Sequence, residues 1–461
     1  MIRYPNRIRP PIAALLILSI PFWWVLGLDQ AVWLAAGLAL GLTAIREHVS
    51  PPRWFVIASG LFLIGMVVSG VLGAQGSRWI TLARDVLIAA AFLLAVVGAS
   101  AAASVAGRLR WLVAAIAGVT AVSVLASLVT FALRNPFGFD TPIAPFVPDV
   151  IASTRLGEVS LTHRVLGTMD FFIAFQVLRP QGLFLFSTSQ AVALVVAMPL
   201  FMAAAAWYPR WRWPLWILTL ASAAVLVATT TRGAMLGLLL SAVVVWLARR
   251  WTIGFISISL NWRSALVFVG LAALIVLGAV VTGAARPISQ LVTARSFDSR
   301  TGLYEVTVER WADRPLLGWG TEVDYQPTPR PTARPTPSPT PRPSPTPTPR
   351  PTPPPEPRPQ DNPPLGSHSH YLGVLFKQGL VGVVLFVSII FIVAAHAAGV
   401  FRRPRPGTDW LVVAFGASLV AAITESLWLD PATAVFVGVA WGLILGFGRQ
   451  SDDRPAQLSS E

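Results

Sequence analysis

The sequence contains no cysteine and, among its 35 basic residues, only one lysine, Lys377. The missing thiols exclude disulfide bonds, thiolate metal sites and a cysteine nucleophile. Charged residues make up only 12% of the chain, about half the share usual in a soluble domain. This scarcity of charge argues against a soluble protein.

Several functional motifs are also missing. The chain has no phosphate-cradling glycine loop with lysine, no HExxH or other metal-ligand spacing, and no paired aspartates in an external loop. We therefore expect a reaction that uses no nucleotide, no metal and no cofactor. The net charge of +14 comes from scattered arginines and not from a clustered basic face, so nucleic acid is not an expected partner.

Apolar runs dominate what is present. Hydrophobic residues make up 54% of the chain, and they fall in runs close to the roughly 17–25 residues that cross a bilayer. The sequence predicts an all-α polytopic membrane protein with about twelve transmembrane helices, the first of them an uncleaved helix. The predicted spans are 11–28, 31–45, 54–73, 79–99, 111–133, 183–206, 213–230, 233–248, 264–283, 369–399, 409–428 and 431–448.

Arginine placement predicts the orientation of these spans. With the N-terminus inside, every inside segment carries at least two arginines and each short outside loop at most one, which is the positive-inside asymmetry. We therefore expect a multi-pass protein of the cytoplasmic membrane with both termini in the cytoplasm. The predicted parts are N-terminal helices 1–133, an external loop 134–182, helices 183–283, a large external loop 284–367, helices 368–448 and a cytoplasmic tail 449–461.

The large external loop lies between the ninth and tenth spans and contains a proline-rich tract, 326–364. Its PTPR and PTPT repeats cannot bury a core and predict extended polyproline II, at about 3.1 Å per residue. A solvated tether is the simplest interpretation. A glycosylated stalk and a contact with an anionic wall polymer remain alternatives.

A short amphipathic helix is predicted before this tract, over about residues 298–313. Arg300 stands at its start, and Arg310 lies on the same face as its apolar residues. Such a helix along the membrane surface could hold an anionic headgroup. Alternatively, its arginines are solvated or pair with Glu305 and Glu309.

A histidine follows the tract. Ser367 is predicted to cap the next membrane helix, which would place His368 in the first turn, where the helix dipole favours a neutral imidazole that can accept a proton. His370 would lie about 200° around the helix, which argues against a paired metal site.

Four ionisable residues lie in or between the spans. An arginine at the depth of Arg232, in TTTRGA, costs much free energy unless it faces a polar cavity or a partner. Arg232 could hold a phosphate bidentately. Alternatively, it snorkels at a tight external turn. Asp85, Lys377 and Glu425 are expected to form structural pairs, Lys377 with Glu425 and Asp85 with Arg84 or elsewhere.

Four segments, taken in order, resemble the O-antigen ligase and polymerase superfamily. They are RPQGLFLFSTSQAVALVVAMPL beginning at Arg179, TTTRGAMLGLLL with Arg232, SRTGLYEVTVERWADRPLLGWG with Arg300 and Arg310, and HSHYLGVLFKQGLVG with His368 and Tyr371. The resemblance covers roughly residues 179–447. The chain has Ser187–Ser189 where the family usually has Asn–Pro–Asn, and the proline tract is an insertion in the family's external loop.

This resemblance implies a membrane glycosyltransferase acting on the extracytoplasmic face. The donor would be a glycan on a polyprenyl diphosphate, and the acceptor a lipid, another glycan or a protein. The reaction would be metal-independent and inverting. Arg232 and His368 would be catalytic, and Arg300, Arg179, Arg310 and Tyr371 would bind substrate.

Three alternative interpretations remain open. A polysaccharide polymerase or a protein O-oligosaccharyltransferase would differ only in its acceptor. A lipid-linked glycan flippase would predict broken helices at matching positions of an internal repeat, which the sequence does not show. A cell-surface anchor displaying the proline stalk would depend on residues 326–364.

Overall fold

The computed structural model describes residues 11–46, 48–49, 51–73, 78–133, 138–149, 160–167, 179–252, 295–321, 369–402, 405–428 and 430–452. Within these ranges the chain forms twelve α-helices and two small hairpins. The helices are α1 (Ile12–Leu26), α2 (Asp29–Arg46), α3 (Arg53–Gly73), α4 (Arg78–Ala103), α5 (Ala106–Leu133), α6 (Ser187–Trp207), α7 (Arg212–Ala228), α8 (Arg232–Thr252), α9 (Arg295–Ala312), α10 (His370–Arg402), α11 (Thr408–Thr424) and α12 (Pro431–Asp452).

The helices confirm an all-α polytopic membrane protein. Eight of them, α3 to α8, α10 and α12, are long and apolar enough to cross a membrane, and α1 and α11 are shorter apolar helices. Eleven of the twelve predicted spans coincide with a helix. The ninth, 264–283, lies outside the described residues, so the count of twelve spans remains a prediction. Residues 326–364 also lie outside them.

The centre of the bundle is formed by α6 and α12, which are almost wholly enclosed by other helices. Small residues allow α12 to pack against α4. A β-carbon at Gly438 would lie 2.7 Å from the Phe92 carbonyl oxygen, and one at Gly442 would lie 2.2 Å from that of Val96. Such close backbone approach is how membrane helices gain packing contacts where lipid supplies no hydrophobic drive.

The bundle has two distinct ends. At one end, hereafter the loop end, lie the hairpins, the turn between α7 and α8, the described part of α9 and its loop, and the start of α10. The opposite end is rich in arginine. There, Arg249 of α8 pairs with Asp409 at the start of α11, and its guanidinium lies 4.0 Å from the centroid of the Phe401 ring.

The two hairpins belong to the external loop predicted over 134–182. Strand β1 (Gly138–Asp140) pairs with β2 (Thr162–Arg164), and β3 (Leu166–Gly167) pairs with β4 (Arg179–Pro180), both antiparallel. Strand β4 ends a few residues before α6. It therefore places Arg179 at the loop end, beside the helices that follow.

Candidate functional site

The turn between α7 and α8 is held by Arg179. Its Nε donates to the carbonyl of Thr229 at 2.6 Å, and a terminal nitrogen donates to the hydroxyl of Thr231 at 3.0 Å. The planar guanidinium presents its donors as a fixed fork, so two bonds to one turn define the turn's position. The first and second family-like segments therefore meet at one point.

The backbone of this turn is strained. Thr230 has a φ of 54°, in the left-handed region, where a β-branched residue is an outlier. Its N–H donates to the Val227 carbonyl at 3.0 Å, and its neighbours Thr229 and Thr231 are buried. Strain of this kind persists only where surrounding contacts impose it, and it often marks functional sites. Arg232 follows directly, exposed at the start of α8.

The start of α8 packs against the end of α11. A β-carbon at Gly233 would lie 1.8 Å from the hydroxyl oxygen of Thr424, so glycine is required at that contact. The next residue, Glu425, ends α11 and is buried. A buried carboxylate therefore lies close to the backbone that carries Arg232. The sequence indicated only a structural pairing for Glu425, because hydropathy does not show which helix ends meet.

The start of α10 also contacts α11. The Tyr371 hydroxyl donates to the carbonyl of Leu419 at 3.2 Å. The helix begins at His370, and the hydroxyl of Ser369 accepts the N–H of Leu372 at 3.4 Å. Ser369 thus takes the capping position that the sequence assigned to Ser367, and the prediction of an earlier helix start is wrong. His368 lies outside the described residues.

The second histidine points into the bundle. His370 is 3% exposed, and its ring lies edge-on to Trp428 and Phe386 with centroids 4.3 and 4.9 Å away. Phe386 and Trp428 belong to a larger aromatic cluster that includes Phe62 of α3. His370 therefore packs in the core and anchors the start of α10.

The predicted amphipathic helix is present as α9, with a start at Arg295 that is earlier than predicted. Leu303 of this helix packs on Phe376 of α10, as its apolar spacing indicated. Arg310 is exposed. Arg300 lies within α9, but its side chain is not among the described parts of the structure.

The loop after α9 is inserted into a break in α10. At Gly379 the backbone leaves the helical conformation, with a φ of 64° and a ψ of −161°. The N–H groups of Leu380 and Val381 donate to the carbonyls of Pro315 and Leu316, at 2.9 and 3.2 Å. The carbonyls of Phe376 and Lys377 accept the N–H groups of Trp319 and Gly320, both at 2.8 Å. These four bonds satisfy peptide groups that the break exposes, as a membrane interior requires. The loop and the break therefore form one unit.

The ionisable residues inside the bundle form a network between helices. Asp85 of α4 accepts from Lys377 Nζ at 2.7 Å and from Arg84 at 2.6 Å. The predicted pairing of Asp85 with Arg84 is confirmed. Lys377 binds Asp85, 292 residues away, which no local pattern in the sequence could predict.

The predicted site residues divide into three groups. Arg179 and Arg232 are brought together at the turn, and Tyr371 binds the helix whose end packs on the start of α8. Arg310 is exposed on α9, beyond the loop end of these helices. His368 and the side chain of Arg300 lie outside what the structure describes. Among the described residues, no group of three acidic or histidine side chains is placed to hold a metal ion.

No curated protein matches the chain. The family model described as O-antigen ligase, Wzy_C, matches residues 217–387, a segment that contains Arg232, the loop after α9 and the break in α10. This match over residues 217–387 supports the resemblance of the chain to the O-antigen ligase and polymerase superfamily.

Proposed function

We propose that the protein transfers a glycan from a polyprenyl-diphosphate donor to an acceptor at the extracytoplasmic face of the cytoplasmic membrane. The observation that carries this proposal is the binding of Arg179 to the turn that precedes Arg232. It places the guanidinium of Arg179 beside the start of α8, where Arg232 stands at the loop end of the bundle. That end is the extracytoplasmic one if the arginine-rich end faces the cytoplasm.

The negative charge of the donor's diphosphate leaving group accounts for the arginines at this site. Cleavage of the glycosyl–phosphate bond builds negative charge on the diphosphate, and preorganised cations beside that charge lower the barrier. Arg232 is exposed at a helix start and can contact a phosphate directly, while Arg179 is committed to the turn and contributes charge and position. Arg300 and Arg310 on α9 would hold the rest of the diphosphate or the glycan.

The acceptor hydroxyl must lose a proton as it attacks. His368, directly before the capping residue of α10, is the proposed base. In-line attack on the anomeric carbon would invert its configuration. The hydroxyl of Tyr371 is already bonded to Leu419, so we expect Tyr371 to contact substrate through its ring.

Ligase, polymerase and protein O-oligosaccharyltransferase activities share the donor chemistry, so the assay must identify the carrier that receives the glycan.

A transfer assay in proteoliposomes tests the proposal. Purified protein would receive a polyprenyl-diphosphate glycan and host membrane extract, with EDTA and without nucleotide. Wild type would be compared with Arg232→Ala, His368→Ala and, as a control, Arg212→Ala, an exposed arginine at the opposite end of the bundle. All variants would first be shown to be folded.

We expect the glycan to reach a new carrier with release of polyprenyl diphosphate in wild type and Arg212→Ala, and not in the other two variants. Donor that crosses the bilayer chemically intact would overturn the enzyme proposal and leave a flippase. Transfer by both site variants at the wild-type rate would overturn the site assignment.

A further inference from the structure

The first half of α10, residues 370–378, is held by helices that precede the segment matched by the O-antigen ligase model. This half-helix carries His370 and Tyr371 and ends at the break at Gly379. The family match begins at residue 217, so α3 and α4 lie before it. Both helices nevertheless contact the break.

The contact from α3 is made by Ser69. Its hydroxyl lies between the carbonyl oxygens of Leu317 and Lys377, and it is 2.6 Å from the latter. Ser69 is 1% exposed. One buried hydroxyl therefore bonds to the inserted loop and to α10 at the same place.

The contact from α4 is made by Asp85, whose carboxylate binds the ammonium group of Lys377 at 2.7 Å. Arg84 binds the other oxygen of the same carboxylate, which fixes its orientation. Lys377 is thus held at its backbone by Ser69 and at its side chain by Asp85. Because Lys377 lies two helical turns from His370, this double hold fixes the rotation and the height of the half-helix.

The half-helix is anchored at its start by His370 and Tyr371, and at its other end it meets the break. Gly379 separates it from the rest of α10, and a glycine with free φ and ψ can act as a hinge. The inserted loop is itself bonded to α3 through Ser69, and a β-carbon at Gly320 would lie 2.5 Å from the Ser69 carbonyl oxygen. The inserted loop and the half-helix therefore both contact α3.

We infer that Ser69 and Asp85 are positioning residues, through which α3 and α4 set the location of the start of α10 relative to Arg232. This inference rests on the proposed function, because it concerns the same site. It assigns a role in catalysis to α3 and α4, which lie outside the residues that the family model matches.

Two matched pairs of variants test the inference. Ser69→Ala is compared with Ser59→Ala, a buried serine of the same helix whose hydroxyl has no hydrogen-bond partner among the described residues. Asp85→Asn is compared with Asp409→Asn, which breaks the ion pair with Arg249 at the opposite end of the bundle. Transfer kinetics and thermal stability are measured for all four.

A misplaced reacting group lowers the turnover rate more than it weakens binding. We expect kcat to fall about 10- to 100-fold in Ser69→Ala and Asp85→Asn, with KM changed by less than about threefold. The two controls should keep kcat within about twofold of wild type at a comparable loss of thermal stability. Asp85→Glu and Ser69→Thr retain the bonding groups and should recover most of the lost kcat.

A second readout does not depend on transfer. Lys377 is the only lysine, so an amine-reactive reagent can label only this residue and the N-terminus. The N-terminal amine serves as an internal standard. We expect Lys377 to react several-fold faster in Asp85→Asn than in wild type or Asp409→Asn.

The outcomes separate the inference from the proposed function. If wild type transfers no glycan but the labelling changes as expected, the proposed function is overturned, while the contact between Asp85 and Lys377 is confirmed. If wild type transfers glycan and the Ser69→Ala and Asp85→Asn variants keep the wild-type kcat, the positioning role is overturned. Equal loss of kcat in the controls overturns it as well, since the effect would then be general destabilisation.

Discussion

The ring of His163 stacks on that of Trp24, with centroids 4.7 Å apart and an angle of 6° between the planes. His163 belongs to strand β2, and its Nε2 lies 3.4 Å from the carboxylate of Asp29 at the start of α2. Both polar residues are almost completely buried. His163 therefore helps to fix the hairpin of β1 and β2 to the corner between α1 and α2, together with Phe139, which also packs on Trp24.

Replacing His163 should separate its two contacts. His163→Ala removes the stacking and leaves a cavity, and we expect it to lower the free energy of unfolding by about 3 kcal/mol. His163→Phe keeps the stacking but removes the Nε2 that faces the buried carboxylate of Asp29, and we expect a loss of about 1–2 kcal/mol. Unfolding in detergent measures both. Thr162→Ala, at an exposed hydrogen bond on the same strand, should change stability by less than about 0.5 kcal/mol. Wild-type stability in His163→Phe would show that Asp29 needs no partner from the hairpin.

The two hydrogen bonds of the Arg179 guanidinium predict that lysine cannot replace arginine at this position without loss of activity. Arg179→Lys keeps the charge but cannot bond Thr229 and Thr231 with the same planar geometry, so the turn that carries Arg232 should shift. We expect the transfer rate to fall about 10- to 100-fold, while the control Arg212→Lys keeps the wild-type rate. The transfer assay measures this. An Arg179→Lys variant with unchanged rate would show that charge alone is required there.

The sequence predicted the membrane helices well because an apolar run is a local property. Eleven predicted spans coincide with helices, and the face of α9 that packs on Phe376 follows from its spacing. The same patterns could not pair helices that are distant in sequence. Asp85 and Lys377 are 292 residues apart, and Arg179 and Thr231 are 52 apart.

The break in α10 has one signal in the sequence, the length of its apolar run. The predicted span 369–399 is about ten residues longer than a bilayer requires. Such an excess, with Gly379 and Gly382 inside it, is compatible with an interrupted helix as well as with a tilted one. Only the inserted loop decides between them, because its four hydrogen bonds make the interruption stable.

Glycine at position 379 should be irreplaceable. A β-carbon there would lie 2.3 Å from the Leu316 carbonyl, and the positive φ is itself unfavourable for alanine. We expect Gly379→Ala to lower the free energy of unfolding by about 3 kcal/mol or more, or to prevent purification of folded protein. Gly60→Ala is the matched control, because Gly60 lies in α3 and no atom of the residues that the structure describes is within 4 Å of the added carbon. Thermal unfolding of the two variants compares them. Equal stability would contradict the insertion of the loop into the break.

Asp430 gives the protein a predictable dependence on pH. It lies between α11 and α12, where its carboxylate accepts the N–H of Thr433 at 2.7 Å. Burial raises the pKa of Asp430 above its ordinary value of 3.8, and the bond from Thr433 offsets only part of that rise. The folded state therefore holds this proton more tightly than the unfolded chain. The contribution of Asp430 to stability is fully present below pH 3.8 and is lost as the pH rises through the folded-state pKa.

Asp430→Asn should remove this dependence. The amide is neutral at every pH and can still accept the bond from Thr433, so we expect a higher Tm than wild type at pH 7. That advantage should shrink as the pH falls towards 4, where the wild-type carboxyl is protonated. Unfolding scans from pH 4 to 8 measure the difference. Asp149→Asn, at an exposed site, is the control. A lower Tm for Asp430→Asn at pH 7 would contradict the prediction.

The proline-rich tract should be dispensable for transfer, because the structure fixes both of its neighbouring segments close together. Gly320 is bonded to the carbonyl of Lys377, and Ser369 lies eight residues earlier along α10, a rise of about 12 Å. Deleting 326–364 leaves eight residues, 322–325 and 365–368, which can span up to about 26 Å. The shortened connection therefore reaches without displacing either segment.

We expect the deletion variant to fold and to transfer glycan within about twofold of the wild-type rate, since the entropy of closing a loop changes only slowly with its length. A second variant, with the tract replaced by a Gly/Ser linker of equal length, separates length from composition. The transfer assay compares both with wild type. Loss of transfer in the deletion alone would mean that the connection must be long, so that His368 can move. Loss in both variants would mean that the tract itself binds a substrate, whereas unchanged transfer in both would leave it a tether whose function is separate from the active site.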